Sequence, residues 1–147
     1  VRRGPYRIAV GLEETPVAGA ARVLRGRFVD LFDPELKLRR EVPLTEGARA
    51  FLLDLDAVPT SGPTILAAAG KILLTGADQD ACTWTVEGVG STNAIVLLAT
   101  TRAPRAVRLD GHVLQDWTYD PAEHLLHVRF PHEPRPRPLT IEFQPES

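Results

Sequence analysis

Carboxylates come in close pairs along this chain: Asp30 and Asp33, Asp54 and Asp56, Asp78 and Asp80, Asp116 and Asp120. A glycoside is cleaved by two carboxyl groups on opposite sides of one sugar bond, about 5–9.5 Å apart. Residues i and i+2 of a strand share a face, so Asp54 and Asp56 have the spacing of such a pair. Nearly all of these acids stand beside Gly or Pro or at the end of an apolar run. An Asp there caps its own turn, and that reading outweighs the catalytic one. The histidines are His112, His124, His127 and His132, with Glu123 and Glu133 nearby. Zinc needs three or four converging ligands, whereas His124 and His127 straddle a turn and a strand and point to opposite faces. Calcium takes loop carboxylates and carbonyls, and "GADQDA", with Asp78 and Asp80, is the loop best suited to it. The only serines are Ser61, Ser91 and Ser147, with no G-x-S-x-G and no phosphate loop. No catalytic residue, metal or cofactor is assigned on this basis.

Aromatic rings offer a different chemistry. The apolar face of a sugar stacks on Trp or Tyr while polar neighbours hold its hydroxyls. Tyr6, Trp84, Trp117 and Tyr119 are the available platforms. Trp84 alternates with Cys82 and Val86, which marks it as core. Trp117 and Tyr119 share one face of a short strand, flanked by Asp116 and Asp120. These four residues are the candidate carbohydrate or domain contact. Burial of both rings in the core is the competing reading.

The elements that hold these groups are short. Thirteen prolines and eleven glycines are scattered along 147 residues, and no window keeps a helical period. Runs of five to eight residues with alternating or β-branched character recur instead, closed by Gly, Pro or Asp. "YRIAVGL" puts Ile8, Val10 and Leu12 on one face, and "RVLRGRFVDLF" does the same for Leu24, Phe28 and Phe32, with Gly26 marking a bulge or close approach. "DPEL" is a turn leading to a polar edge strand. In "TEGARAFLLDLD", Ala50, Leu52 and Leu55 oppose Phe51 and Leu53. "TILAAAGKILLTG" is read as one strand, with a short helix as the alternative. "CTWTVEG" alternates as a half-solvated strand, and "NAIVLLAT" is apolar throughout, as a central strand would be. "AVRLDGHVL" is a two-residue hairpin whose Asp110-Gly111 loop tolerates positive φ, so Leu109 should face His112 and Val107 should face Leu114. "PHEPRPRP" is an extended connector, and Leu139, Ile141 and Phe143 point inward from the last run.

Some ten such strands predict an all-β fold with little helix: a two-sheet antiparallel β-sandwich, Ig-like or related in topology. A chain of this length buries roughly 70% of its unfolded surface and needs no disulfide; its single cysteine, Cys82, allows none. Residues 1–147 are expected to form a single sandwich domain, with an internal joint near "VPTSGP" at 58–63. Seventeen basic and nineteen acidic residues, net charge −2, argue against nucleic acid or a membrane surface as partner. No apolar run is long enough to span a bilayer and no signal peptide is visible. A soluble protein, cytoplasmic rather than secreted, is the expectation.

The stretch from Ala106 to Phe130 resembles the β-sandwich modules that follow catalytic domains in bacterial glycoside hydrolases. There a V-x-V-D-G hairpin leads to a Trp/Tyr strand and then Y-D-x-x-x-x-x-L-x-V-x-F. Here the pattern falls on Val107, Leu109, Asp110, Gly111, Trp117, Tyr119, Asp120, Leu126, Val128 and Phe130. The segment from Arg2 to Asp56 is similar to the tail region of large glycoside-hydrolase-like bacterial proteins. The resemblance implies a C-terminal part of a larger protein whose catalytic residues lie elsewhere. Its implied role is a non-catalytic accessory domain that packs on the catalytic domain of the same polypeptide and supports it. Two alternatives stand beside it: a carbohydrate-binding module using exposed Trp or Tyr, and a small β-rich hydrolase.

Overall fold

The computed structural model describes residues 1–10, 22–45, 47–59 and 62–145, and the chain divides into two compact units, Val1–Pro59 and Thr60–Ser147. Each unit is built from antiparallel strands, and the only helix among the described residues is a single 3-10 turn, Leu55–Ala57. The fold is all-β.

The first unit is one five-stranded sheet. Its strands are β1 (Arg2–Arg3), β2 (Tyr6–Val10), β3 (Arg22–Asp30), β4 (Leu38–Leu44) and β5 (Arg49–Asp54), in the order β1-β2-β5-β3-β4. One face buries Phe28, Val42, Ala50 and Leu52, with Ala9, Leu24 and Leu44 packed against them. The β3–β4 register slips between Arg25 and Phe28. Gly26 sits in that bulge at φ 154°, where a Cβ would stand 3.0 Å from the Phe28 ring. Only glycine lets the ring lie so close to the backbone. Asp33 closes the "DPEL" turn by accepting the N–H groups of Glu35 and Lys37.

Two expectations for this unit need correcting. Ile8 and Val10 do share a face, but that face is exposed; the half-buried positions of β2 are Arg7 and Ala9. Alternation fixes which residues travel together, not which set faces inward. Leu12 lies outside the described residues. Phe32, expected beside Leu24 and Phe28, lies in the turn beyond β3 and is 68% exposed. Phe28 keeps its place beside Leu24 across the bulge, but β3 ends at Asp30, and alternation has no hold on a residue in the turn.

The second unit is a two-sheet sandwich. The four-stranded sheet runs β12-β13-β9-β6 and the five-stranded sheet β11-β10-β14-β8-β7. The strands are β6 (Thr64–Ala68), β7 (Lys71–Ala77), β8 (Ala81–Glu87), β9 (Asn93–Ala99), β10 (Pro104–Leu109), β11 (His112–Leu114), β12 (Trp117–Asp120), β13 (Leu125–Pro131) and β14 (Arg137–Phe143). Inward side chains from both sheets form one core. Trp84, Val86, Val107, Leu109, Leu139, Ile141 and Phe143 come from the larger sheet, and Ala94, Val96, Leu98, Leu126, Val128 and Phe130 from the smaller. Burying a side chain such as Leu126 or Ile141 contributes roughly 1.5–3 kcal/mol.

Here too the alternation holds in most places. Trp84 and Val86 are buried while Thr83, Thr85 and Glu87 are only half-buried on the opposite face of β8, where the Thr83 and Thr140 hydroxyls meet at 3.0 Å. The β10–β11 hairpin pairs Leu109 with His112 and Val107 with Leu114, with φ of 53° at Asp110 and 80° at Gly111. Both values are positive, as a type I′ turn requires.

"TILAAAGKILLTG" is not one strand. It forms β6 in one sheet and β7 in the other, and the chain changes sheets at Ala69 and Gly70, where Gly70 adopts φ 111°. The reversal falls at a single glycine followed by Lys71, between two apolar runs. The connector after β13 is also shorter than expected. Arg137 and Pro138 belong to β14, a central strand. Pro138 stands near the strand start, where the missing N–H costs least.

Candidate functional site

The four residues singled out for carbohydrate or domain contact do not converge. Trp117 pairs with Val128 and Tyr119 with Leu126, so both rings lie on the inward face of β12 and pack against the sandwich core. They are half-buried. The Tyr119 hydroxyl donates to the Thr100 carbonyl at 2.9 Å. Burial, with Asp120 adding to it, holds this phenol above its ordinary pKa. Asp120 points the other way and caps its own turn, accepting the N–H groups of Ala122 and Glu123 at 2.9 and 3.2 Å. Asp116 is exposed, 3.9 Å from the Arg129 guanidinium.

The paired aspartates at 54 and 56 and at 78 and 80 are similarly engaged. Asp54 ends β5 and caps the 3-10 turn, accepting the Asp56 N–H at 3.2 Å and the Arg7 Nη2 at 3.0 Å. Asp56 lies in that turn and pairs with Arg27 at 3.3 Å. The two are therefore not strand neighbours on one face. Asp78 Oδ1 accepts the N–H groups of both Asp80 and Ala81 at 2.8 Å. Asp80 is paired with Arg102 at 3.0 Å. That guanidinium also donates to the Gln79 and Gln144 carbonyls and lies over the Phe143 ring. One arginine thus clamps the "GADQDA" loop to the end of the sandwich. Among the described residues no group of three or more His, Cys, Asp or Glu is placed to hold a metal ion.

His112 and His124 are exposed, His127 is half-buried and His132 is buried. The His132 ring fills a slot left by Gly70 and Gly88, and its Nε2 is hydrogen-bonded to the Ala69 carbonyl. Phe130 meets it edge-on at 5.7 Å, and Arg137 lies over that Phe130 ring. Nothing in the residue order announces this cluster, because its parts come from three separate turns. Cys82 is half-buried, and burial raises its thiol pKa, so it is a poor nucleophile at neutral pH.

The exposed aromatic surface is in the first unit instead. Tyr6 and Phe51 have ring centroids 5.7 Å apart, and Phe51 and Phe32 6.1 Å. Tyr6, Ile8 and Val10 continue the surface along β2 at 41%, 51% and 55% exposure. Comparison of the chain with family models, with curated proteins and with solved structures found no match. The alternation of "YRIAVGL" placed Ile8 and Val10 together, and the structure adds Tyr6 to that face. What it could not reveal is that Phe51 and Phe32 join them, since that depends on the β2–β5 register and on the turn after β3.

Proposed function

We propose that this chain is a non-catalytic accessory β module of a larger glycoside-hydrolase-like protein, packing on its catalytic domain and supporting it. The observation that carries this reading is the use made of the carboxylates. Asp54, Asp78 and Asp120 cap turns, and Asp56 and Asp80 pair with arginines. A general acid or nucleophile must instead face a space that a substrate can enter. The strand order also supports an Ig-like or related topology. The sheet β6-β9-β13-β12 follows the order A-B-E-D, and β10 and β14 take the places of C and F. The position of G is held by β8, which precedes these strands instead of following them.

A module that packs on a neighbour needs apolar surface left over from its own core. Edge strand β7 supplies it: Leu73 and Leu74 are 55% and 61% exposed on opposite sides of the strand. Hydroxyl-radical footprinting of the whole gene product and of residues 1–147 alone tests this. Leu73 and Leu74 are expected to be labelled several-fold less in the whole protein. Equal labelling in both samples removes the docking role. A second reading, a carbohydrate-binding module, is favoured by the exposed rings of Tyr6 and Phe32 rather than by Trp117 and Tyr119.

A further inference from the structure

The outward face of the first sheet combines rings with two exposed cations. Cross-strand partners share a face. The registers Arg3 with Tyr6, Tyr6 with Leu53, Ile8 with Phe51 and Val10 with Arg49 therefore put all of these side chains on one side. Val29, opposite Leu53, lies on the same side, but both are buried, so the exposed stripe is Tyr6, Ile8 and Val10 with the half-buried Phe51. No carboxylate stands at any of these positions. Arg3 and Arg49 are exposed and have no hydrogen-bond or ion-pair partner among the described residues. In a chain of net charge −2 this is a local excess of positive charge. The two guanidiniums flank the apolar stripe at opposite corners. Four residues of strand rise and two strand spacings set their backbone positions about 16 Å apart.

We infer that this face binds a linear, carboxylate-bearing polysaccharide, with Tyr6, Phe32 and Phe51 stacking on sugar rings and Arg3 and Arg49 each holding a sugar carboxylate. The inference rests on the carbohydrate-binding reading and names its site and ligand class. The chemistry of each part fits. An aromatic face takes the C–H side of a sugar ring, and the planar guanidinium matches a carboxylate with two parallel N–H donors. A neutral glycan would leave both arginines without a partner. A folded protein domain is a poorer fit, since bringing one down on the stripe would desolvate two cations that have no partner among the described residues. Nucleic acid fits less well too, because affinity for a phosphate backbone grows with the number of cations neutralising it, and this face has two among the described residues.

The test is affinity electrophoresis of the chain through gels containing polygalacturonate, a neutral glucan of similar length, or a single-stranded oligodeoxynucleotide. Polygalacturonate is expected to retard the chain, and the glucan and oligonucleotide much less. Arg3→Gln with Arg49→Gln is expected to weaken retardation by about tenfold or more, with an unchanged circular dichroism spectrum. Phe32→Ala is expected to weaken it as well, and high salt should do so for the wild type. If glucan retards the chain as strongly and the double arginine variant has no effect, sugar binding stands and the anionic preference falls. If neither polysaccharide retards it, both fall. Stronger retardation by the oligonucleotide would assign the face to nucleic acid and overturn the inference.

Discussion

Gly88 and Gly70 leave a slot that the His132 ring fills. A Cβ on Gly88 would overlap Nδ1 and Cγ of that ring. Forcing atoms into a packed interior costs about 1–3 kcal/mol, so Gly88→Ala should lower unfolding stability by that much in urea titrations. Gly76→Ala is the control: no atom lies within 4 Å of its Cβ position, and its effect should stay within about 1 kcal/mol. Asp33 illustrates a second residue-scale effect. The Glu35 N–H holds its carboxyl below the ordinary value, helped by the Lys37 N–H and the Arg39 and Lys37 charges against the cost of burial. A carboxylate held low stabilises the fold above its unfolded pKa, and that contribution is lost as pH falls through the folded value. Wild type should therefore lose stability below about pH 4, and Asp33→Asn should show a flatter acid limb in unfolding measured from pH 5 to 2. Such local signals were the most legible part of the chain. Gly26, the "DPEL" turn and Asp110-Gly111 each state a backbone requirement in one or two residues. His132 stayed hidden because its slot is made by glycines far away in sequence.

At the scale of elements, turns govern register. The β10–β11 hairpin depends on two positive φ angles, 53° at Asp110 and 80° at Gly111. Gly111→Val places a branched side chain where it costs about 1–2 kcal/mol, and a fall of that size in urea-derived stability is expected. Asp110→Gly keeps the turn and removes the solvent-screened pair with Arg135, so its effect should be well below that of Gly111→Val in the same titrations. Alternation along β8, β13 and β14 made the inward sets legible before any tertiary contact was known. It failed where a strand ends or crosses over. Phe32 lies in the turn past the end of β3, and "TILAAAGKILLTG" changes sheets at Gly70. Trp117 and Tyr119 show a further limit. Their shared face was plain from spacing, but its inward direction is set by pairing with Val128 and Leu126.

At the scale of the molecule, the carboxylates hold turns and arginines, while exposed apolar and aromatic side chains on Tyr6, Ile8, Phe32, Leu73 and Leu74 face outward. This division of labour was partly legible, since acids beside Gly and Pro already suggested caps. The surface proposed to meet a partner was not, because exposure depends on sheet order. The central claim is that the acids serve the fold. Groups kept for catalysis or binding commonly cost stability, and replacing them raises it; groups that cap and pair stabilise, and replacing them lowers it. Asp54 is the decisive case, being buried and bonded to both Asp56 and Arg7. Thermal unfolding of the purified chain carrying Asp54→Ala should show a midpoint several degrees below wild type, equivalent to about 1–3 kcal/mol. A midpoint equal to or above wild type would contradict the account.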